Sequence, residues 1–252
     1  MKTYRTAEIA ACIGVHPNTV RFYEAEGLLP PVPRDASGYR VFTDRHLVQL
    51  RLIRVAFRSE VLGSGLRGVA ASVLRQAASG DLPAAVETAE EYRTGLQGEL
   101  TRAEEAVDIV GHWHAAAPRG QPDLTVLGRG AAARSLDITE ETLRNWERNG
   151  LVAVRRNADG YGIYDADVMA RLKVIRALRG ANYSTMAILR MLIRLTQGEA
   201  DVRAAIDTPG EEEDIVLAAD RYLSALREAL QDAEEMLGIL RTDPSLSGQT
   251  LQ

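Results

Sequence analysis

Apolar residues recur along the chain at helical intervals, interrupted by Gly and Pro at positions that delimit short elements. Ile9, Ala10, Ile13 and Val15 share one helical face, with Thr6 as the expected cap and Gly14 as a tight break. Pro17 suits the first position of a following helix, where no amide donor is needed. That helix, Thr19 to Leu28, closes at Gly27, a residue that tolerates positive φ. Leu28-Leu29-Pro30-Pro31 ends it, and Arg34 to Phe42 reads as a hairpin turning at Gly38. A stripe of Leu47, Leu50, Ile53 and Phe57 then predicts an amphipathic helix, followed by another from Leu66 to Ala77. Val86, Ala89, Arg93, Leu96, Leu100, Ala103, Val107 and Val110 are spaced alternately by three and four, the pattern of a long helix that needs a partner.

The same series then begins again. Thr19-Val20-Arg21-Phe22-Tyr23-Glu24 has its counterpart 123 positions later in Thr142-Leu143-Arg144-Asn145-Trp146-Glu147, capped by Thr139 and closed by Gly150. The second hairpin is expected over Arg155 to Tyr164. It is followed by a stripe of Met169, Leu172, Ile175 and Leu178, and by a helix from Thr185 to Leu195. Val216, Ala219, Leu223, Leu226, Leu230, Ala233, Leu237 and Leu240 repeat the long-helix spacing at an offset of 130, which places about seven extra residues around Gln197 to Glu211. The expected divisions are a first helix-turn-helix unit over 1–80, a long helix over 84–114, a Pro/Gly linker over 115–123, a second unit over 124–197, a second long helix over 212–241, and a disordered polar tail over 242–252. The fold class is mainly α, with two winged helix-turn-helix modules, each bearing a small β-hairpin wing and a long antiparallel coiled-coil helix.

Charge sharpens this picture. The 252 residues are 46% apolar and 26% charged, with a net charge of −5, yet residues 1–58 carry +4, residues 124–183 carry +3 and residues 211–241 carry −6. Two basic modules are thus joined to acidic helices, and it is the local patch that meets a phosphate backbone. No run approaches the length of a membrane span and no signal-peptide core is present, so a cytoplasmic protein with no membrane partner is expected. The lone Cys12, expected as a buried thiol, excludes an intrachain disulfide and any multi-thiolate metal site. Neither a phosphate loop nor a nucleophile with a placed base is found, so no enzyme, cofactor or metal is expected. The run Glu211-Glu212-Glu213-Asp214 reads as the acidic start of a helix.

The Thr-aliphatic-Arg-aromatic-Tyr-Glu helix, followed by Gly38-Tyr39-Arg40-Val41-Phe42, resembles the MerR-type bacterial transcription regulators. The second copy departs from the pattern with Asn145, Trp146 and Gly162. The resemblance implies binding to double-stranded promoter DNA with an overlong spacer, distortion of the duplex so that RNA polymerase holoenzyme engages both elements, and activation or repression of transcription. Residue chemistry assigns Arg21 and Arg144 to phosphate or a guanine edge, and Arg21 could alternatively pair with Glu24. Tyr23 would reach phosphate and Arg40 the backbone or minor groove. His16, Asn18 and Thr19 would meet base edges at the helix start. Arg34 and Tyr39 of the first hairpin, and Thr142, Trp146, Arg155, Arg156 and Tyr161 of the second copy, complete the expected DNA surface.

Members of this family pair two chains through their long helices, whereas here one chain carries both halves. Residues 86–114 are therefore expected to pair with 216–240 within the chain, a monomer being favoured over a homodimer. Pairing positions that sum to 326 sets Ala89 against Leu237, Arg93 against Ala233, Ala103 against Leu223 and Val107 against Ala219, large on small, with Leu96–Leu230 and Leu100–Leu226 in the middle and no Ala facing Ala. The expected linker spans at most roughly 30 Å. Trp113 and Tyr222 are candidates to line a pocket for a small organic effector, while His112-Trp113-His114 reads as a helix end. The rival functions are a DNA-architectural or recombination-directionality factor, and a helical ligand-sequestering protein whose second module no longer holds DNA.

Overall fold

The computed structural model describes residues 2–59, 65–116, 126–207 and 221–246. Most of the expected linker, the acidic run 211–214, Val216 and Ala219 of the second long helix, and the tail beyond 246 lie outside these residues. The chain divides into two compact units. Met1–Gly98 joins Ala225–Gln252 in one, and Glu99–Ser224 forms the other.

In the first unit, β1 (Thr3–Tyr4) precedes α1 (Thr6–Ile13) and α2 (Pro17–Ala25). Thr6 is not the cap of α1 as expected. The position before it, Arg5, is, and its amide donates to the Glu8 carboxylate at 2.7 Å. Gly14 closes α1 at φ 69°, a conformation that any side chain would resist, and the chain turns directly into α2 with Pro17 at its first position. Ile9, Ala10, Ile13 and Val20 form the buried seam between these two helices. That seam takes positions 9, 10 and 13 of α1, which leaves Cys12 on the solvent side. The expectation of a buried thiol is therefore corrected.

The hairpin from Arg34 turns at Gly38, and its return continues into β2 (Phe42–Thr43). Here β2 pairs antiparallel with β1, Tyr4 opposite Phe42, a third strand that periodicity did not announce because it is only two residues long. Next come α3 (Asp44–Ala56), α4 (Leu66–Ser79) and α5 (Leu82–Ala115). The face of α3 is broader than the expected stripe, since Val48, Leu52 and Val55 join Leu47, Leu50 and Ile53 in the core while Phe57 ends the helix half-exposed.

At 34 residues, α5 is about 51 Å long. Within the first unit its early turns lie against α11 (Tyr222–Thr242), which runs the other way. Arg93 meets Glu234 at 3.3 Å, and Glu90 meets Arg241. The first of these pairs falls one residue from the expected Arg93–Ala233 contact. Just before Glu234 on α11, the buried Asp232 accepts from Arg58 Nη1 at 2.9 Å and Ser59 Oγ at 2.6 Å, tying the end of the α3 region to this helix.

The second unit holds α6 (Arg129–Ser135), α7 (Glu140–Arg148), the β3 (Arg155–Arg156) and β4 (Gly162–Ile163) hairpin, α8 (Ala166–Gly180), α9 (Thr185–Thr196) and α10 (Val202–Asp207). Leu127 bridges Tyr164 as β1 pairs with β2 in the first unit. The extra residues anticipated after Gln197 include α10, which packs on α9 and ends at Asp207. That carboxylate receives the Leu223 amide at 3.0 Å and the Ser224 hydroxyl, capping the start of α11. The later part of α5 contributes Glu99, 8% exposed, which accepts from Asn182 Nδ2 and Tyr222 Oη at 3.0 Å each and pairs with Arg102.

Candidate nucleic-acid interface

The exposed face of α2 is built from its cap outward. His16 accepts the Asn18 amide on Nδ1 at 3.2 Å, so its ring serves the helix end while remaining at the surface. Arg21 stands on the following turn and donates to the neutral Asn18 Oδ1 at 3.2 Å, and among the described residues no carboxylate pairs with it. Its alternative partner, Glu24, is taken by Arg40, whose Nε lies 2.5 Å from Glu24 Oε2. Arg40, expected on DNA, is instead half-buried and pinned to the helix it flanks. Thr19 and Tyr23 are half-buried, and Phe22 is 58% exposed.

The first hairpin stands beside this helix. Asp35 Oδ1 accepts from the Ser37 and Tyr39 amides at 2.9 and 3.0 Å, and Arg34 donates to the Gly38 carbonyl at 2.9 Å, which locks the tip and leaves Tyr39 65% exposed. Arg5 lies 5.5 Å from the Tyr39 ring and donates to Asp35 at 2.6 Å. This hydrogen bond is the largest cause of the lowered Asp35 pKa. A cleft of about 530 Å³ opens between helix and hairpin, lined by Arg5, Pro17, Arg21, Tyr39 and Arg40. Sequence reasoning passed over Arg5 and Phe22. The available signal for Arg5 was a basic residue immediately before the first helix.

The second module repeats the hairpin lock with different atoms. Asn157 Oδ1 accepts from the Asp159 and Tyr161 amides, Arg156 donates to the Gly160 carbonyl at 2.8 Å, and Tyr161 is 73% exposed. Arg155 is exposed but paired with Asp165 at 2.8 Å. On α7, Thr139 caps the Thr142 amide at 3.0 Å. Arg144, the counterpart of Arg21, is held by Glu141 at 2.6 Å, and the same carboxylate takes Arg148 at 3.0 Å.

Two expected site residues are corrected here. Trp146 is 6% exposed and stands with Leu143 on the buried face of α7, so its ring packs in the core rather than facing a ligand. Tyr222 is 2% exposed and donates to Glu99, whereas Trp113 lines a pocket of about 490 Å³ to which Tyr222 does not contribute. Among the described residues, none of the cavities at Trp113, His112 and Arg21 is lined by both effector candidates.

Gly162 stands where the first hairpin has Arg40, and the charge on the helix Glu is met from elsewhere. Arg129 Nη2 donates to Glu147 Oε2 at 2.9 Å, and Tyr164 Oη donates to the other carboxylate oxygen. Burial first, then the bond to Glu147, pushes the Tyr164 phenol up to about 12.

Residues 5–42 match the family model described as MerR family regulatory protein, and residues 130–195 match that described as MerR HTH family regulatory protein. An uncharacterized HTH-type transcriptional regulator of Haemophilus influenzae is 52% identical over 52 residues, covering 21% of this chain and 38% of the relative. The HTH-type transcriptional regulator CueR of Escherichia coli O157:H7 is 40% identical over 50 residues, covering 20% of this chain and 37% of that protein. The chain thus spans under two fifths of the length of these relatives. An uncharacterized HTH-type transcriptional regulator of Pseudomonas aeruginosa is 34% identical over 110 residues, covering 42% of this chain and 81% of the relative. Among solved structures, HiNmlR, a MerR family regulator lacking the sensor domain, bound to promoter DNA, is 22% identical with a TM-score of 0.33, covering 56% of this chain and 99% of that one.

Proposed function

Because the chain belongs to the MerR family of regulatory proteins, we propose that it is a sequence-specific DNA-binding transcription regulator acting as a single-chain pseudo-dimer on promoter DNA. The observation that carries this reading is Arg21. An exposed guanidinium with only a neutral neighbour projects from α2 beside a cleft whose far wall is the hairpin tip at Tyr39. In that arrangement α2 enters the major groove, Asn18 and Arg21 reach base edges or phosphate, and the two hairpins act as wings on the flanking backbone. The single-chain pairing draws support from the ion pairs of α5 with the antiparallel α11, and from the attachment of the α3 end to Asp232 of that later helix. Both helices then belong to one intrachain coiled coil, and the chain carries two reading modules for an RNA-polymerase promoter. Deforming the duplex by a few kcal/mol would be offset by phosphate contacts at both modules.

The test is fluorescence anisotropy with duplex taken from beside the protein's own gene. The expected result is salt-dependent, sequence-selective binding that Arg21→Ala weakens by roughly tenfold or more, with one chain per duplex by sedimentation. Absence of binding at low salt, or binding indifferent to Arg21, overturns the reading. Two chains per duplex overturns the single-chain part alone. A promoter assay with and without the protein separates regulation from a purely architectural role.

A further inference from the structure

We propose that the pocket at the end of α5 is a binding site for a small aromatic carboxylate. Its ring would lie in the apolar wall beside Trp113 and its anionic group on Arg171. The site belongs to the second unit and stands independently of the DNA-binding reading.

The cavity is about 490 Å³, within the usual range for small-molecule sites, and its wall combines Trp113, Val152, Val168 and Ala170 with Arg171. The two sides come from distant parts of the chain. Trp113 is on the last turns of α5, Val152 precedes β3, and Val168, Ala170 and Arg171 are on the first turns of α8. Arg171 is the unusual member. It is half-buried, its Nε donates to the Leu151 carbonyl at 2.7 Å, and among the described residues no carboxylate pairs with its guanidinium. Burial alone lowers its pKa, with no acid acting in the other direction. Two other half-buried guanidinium groups of the described residues are paired, Arg40 with Glu24 and Arg129 with Glu147, while Arg45, half-buried like Arg171, forms no ion pair and does not line this pocket. A half-buried cation is costly without an anion, and the planar fork of Arg matches a carboxylate bidentately. Asp167 on the rim is exposed, and no ion pair draws it to Arg171, so it leaves that fork open. The apolar wall and the indole supply the surface that a fused ring buries.

The experiment is titration of the full-length chain, without DNA, with naphthoate and with its neutral isostere naphthylmethanol, followed by calorimetry and by tryptophan fluorescence. Naphthoate is expected to bind at a single site per chain, to change the fluorescence of the wild type but not of Trp113→Phe, and to bind at least about tenfold more tightly than the alcohol. Arg171→Gln is expected to abolish that preference. Because Arg171 also serves the Leu151 carbonyl, Ala170→Leu provides a second variant that fills the cavity and keeps the cation, and it is expected to weaken naphthoate by a similar factor with the circular dichroism unchanged. Equal affinity for acid and alcohol, binding that survives Ala170→Leu, or no binding at millimolar naphthoate overturns the proposal. A DNA-binding failure in the anisotropy experiment leaves these outcomes untouched.

Discussion

Arg40 and Glu24, sixteen residues apart in sequence, meet at 2.5 Å and fasten the first hairpin to α2. Both side chains are mostly shielded from water, so the pair acts as a strut between the two elements that flank the cleft. A double-mutant cycle of Arg40→Ala and Glu24→Ala is expected to give a coupling energy of about 1 kcal/mol in urea unfolding of the full chain. Additive single effects would show that the two groups do not support each other. Since Arg40 is already engaged, Arg40→Lys, which keeps charge without the planar fork, is expected to lose most of that coupling.

The two reading helices differ at one position that decides their charge. Asn18 lies beside Arg21, whereas Glu141 occupies the corresponding place beside Arg144 and holds both Arg144 and Arg148. An acid at a helix start stabilises the helix, but it repels phosphate and occupies the cation meant for it. Under the DNA-binding reading, Arg144→Ala should weaken binding only a few-fold where Arg21→Ala costs roughly tenfold or more, and Glu141→Gln should tighten it. Anisotropy on one duplex at fixed salt checks this. An Arg144→Ala effect equal to that of Arg21→Ala would show that Glu141 releases its arginines on DNA.

Much of this arrangement was legible before any coordinates because its signals are local. Gly14, Pro17 and Gly27 each carry a backbone requirement that can be read from one residue, and the helix expected over Leu66–Ala77 occupies Leu66–Ser79. What escaped depends on neighbours distant in sequence. Nothing within the hairpin says that Arg40 will find Glu24, and nothing near Gly162 says that Arg129 will meet Glu147 in its place. A Cβ on Gly162 would lie 3.2 Å from both Tyr164 and Val154, so the missing arginine and the buried phenol are one substitution in physical terms. Cys12 and Trp146 were misplaced for a related reason. Helical spacing gives a face, but the side chain lying across the boundary of that face is settled by its packing partners.

Tyr164 and Tyr222 give the second unit a pH signature at its alkaline edge. Burial, then Glu147 for the first and Glu99 for the second, raises each phenol to about 12 from an ordinary value of 10.0. The folded state holds these protons more tightly than the unfolded chain does. Their contribution to stability is therefore complete below about pH 10 and is lost as pH rises toward 12. Ultraviolet difference spectra of the eight tyrosines should show a late-ionising fraction that shrinks in Tyr164→Phe and again in Tyr222→Phe. Ionisation of all eight together while circular dichroism still reports the fold would contradict this.

Gln49 offers a test of how the exit of α2 is held. It is fully buried in α3, and its single amide nitrogen donates to the Leu28 carbonyl at 2.9 Å and to the Leu74 carbonyl at 2.8 Å, joining the end of the reading helix to α4. Leu28 is itself buried, so its carbonyl has no water as a substitute partner, whereas the Leu74 carbonyl also accepts along α4. Gln49→Met keeps nearly the same volume and shape while removing both donors, which isolates the hydrogen bonds from the packing. The Leu74 carbonyl keeps its intrahelical bond within α4, so the one buried acceptor left without a partner is that of Leu28, and the expected cost is about 1–3 kcal/mol, read from the urea midpoint of the first unit. The loss should also fall on function, because Leu28 follows directly on Gly27 and fixes the angle at which α2 leaves the domain. DNA affinity is thus expected to drop in Gln49→Met even though no contact surface changes. A variant that loses stability while binding DNA as well as the wild type would show that α2 is oriented by the Arg40–Glu24 strut alone.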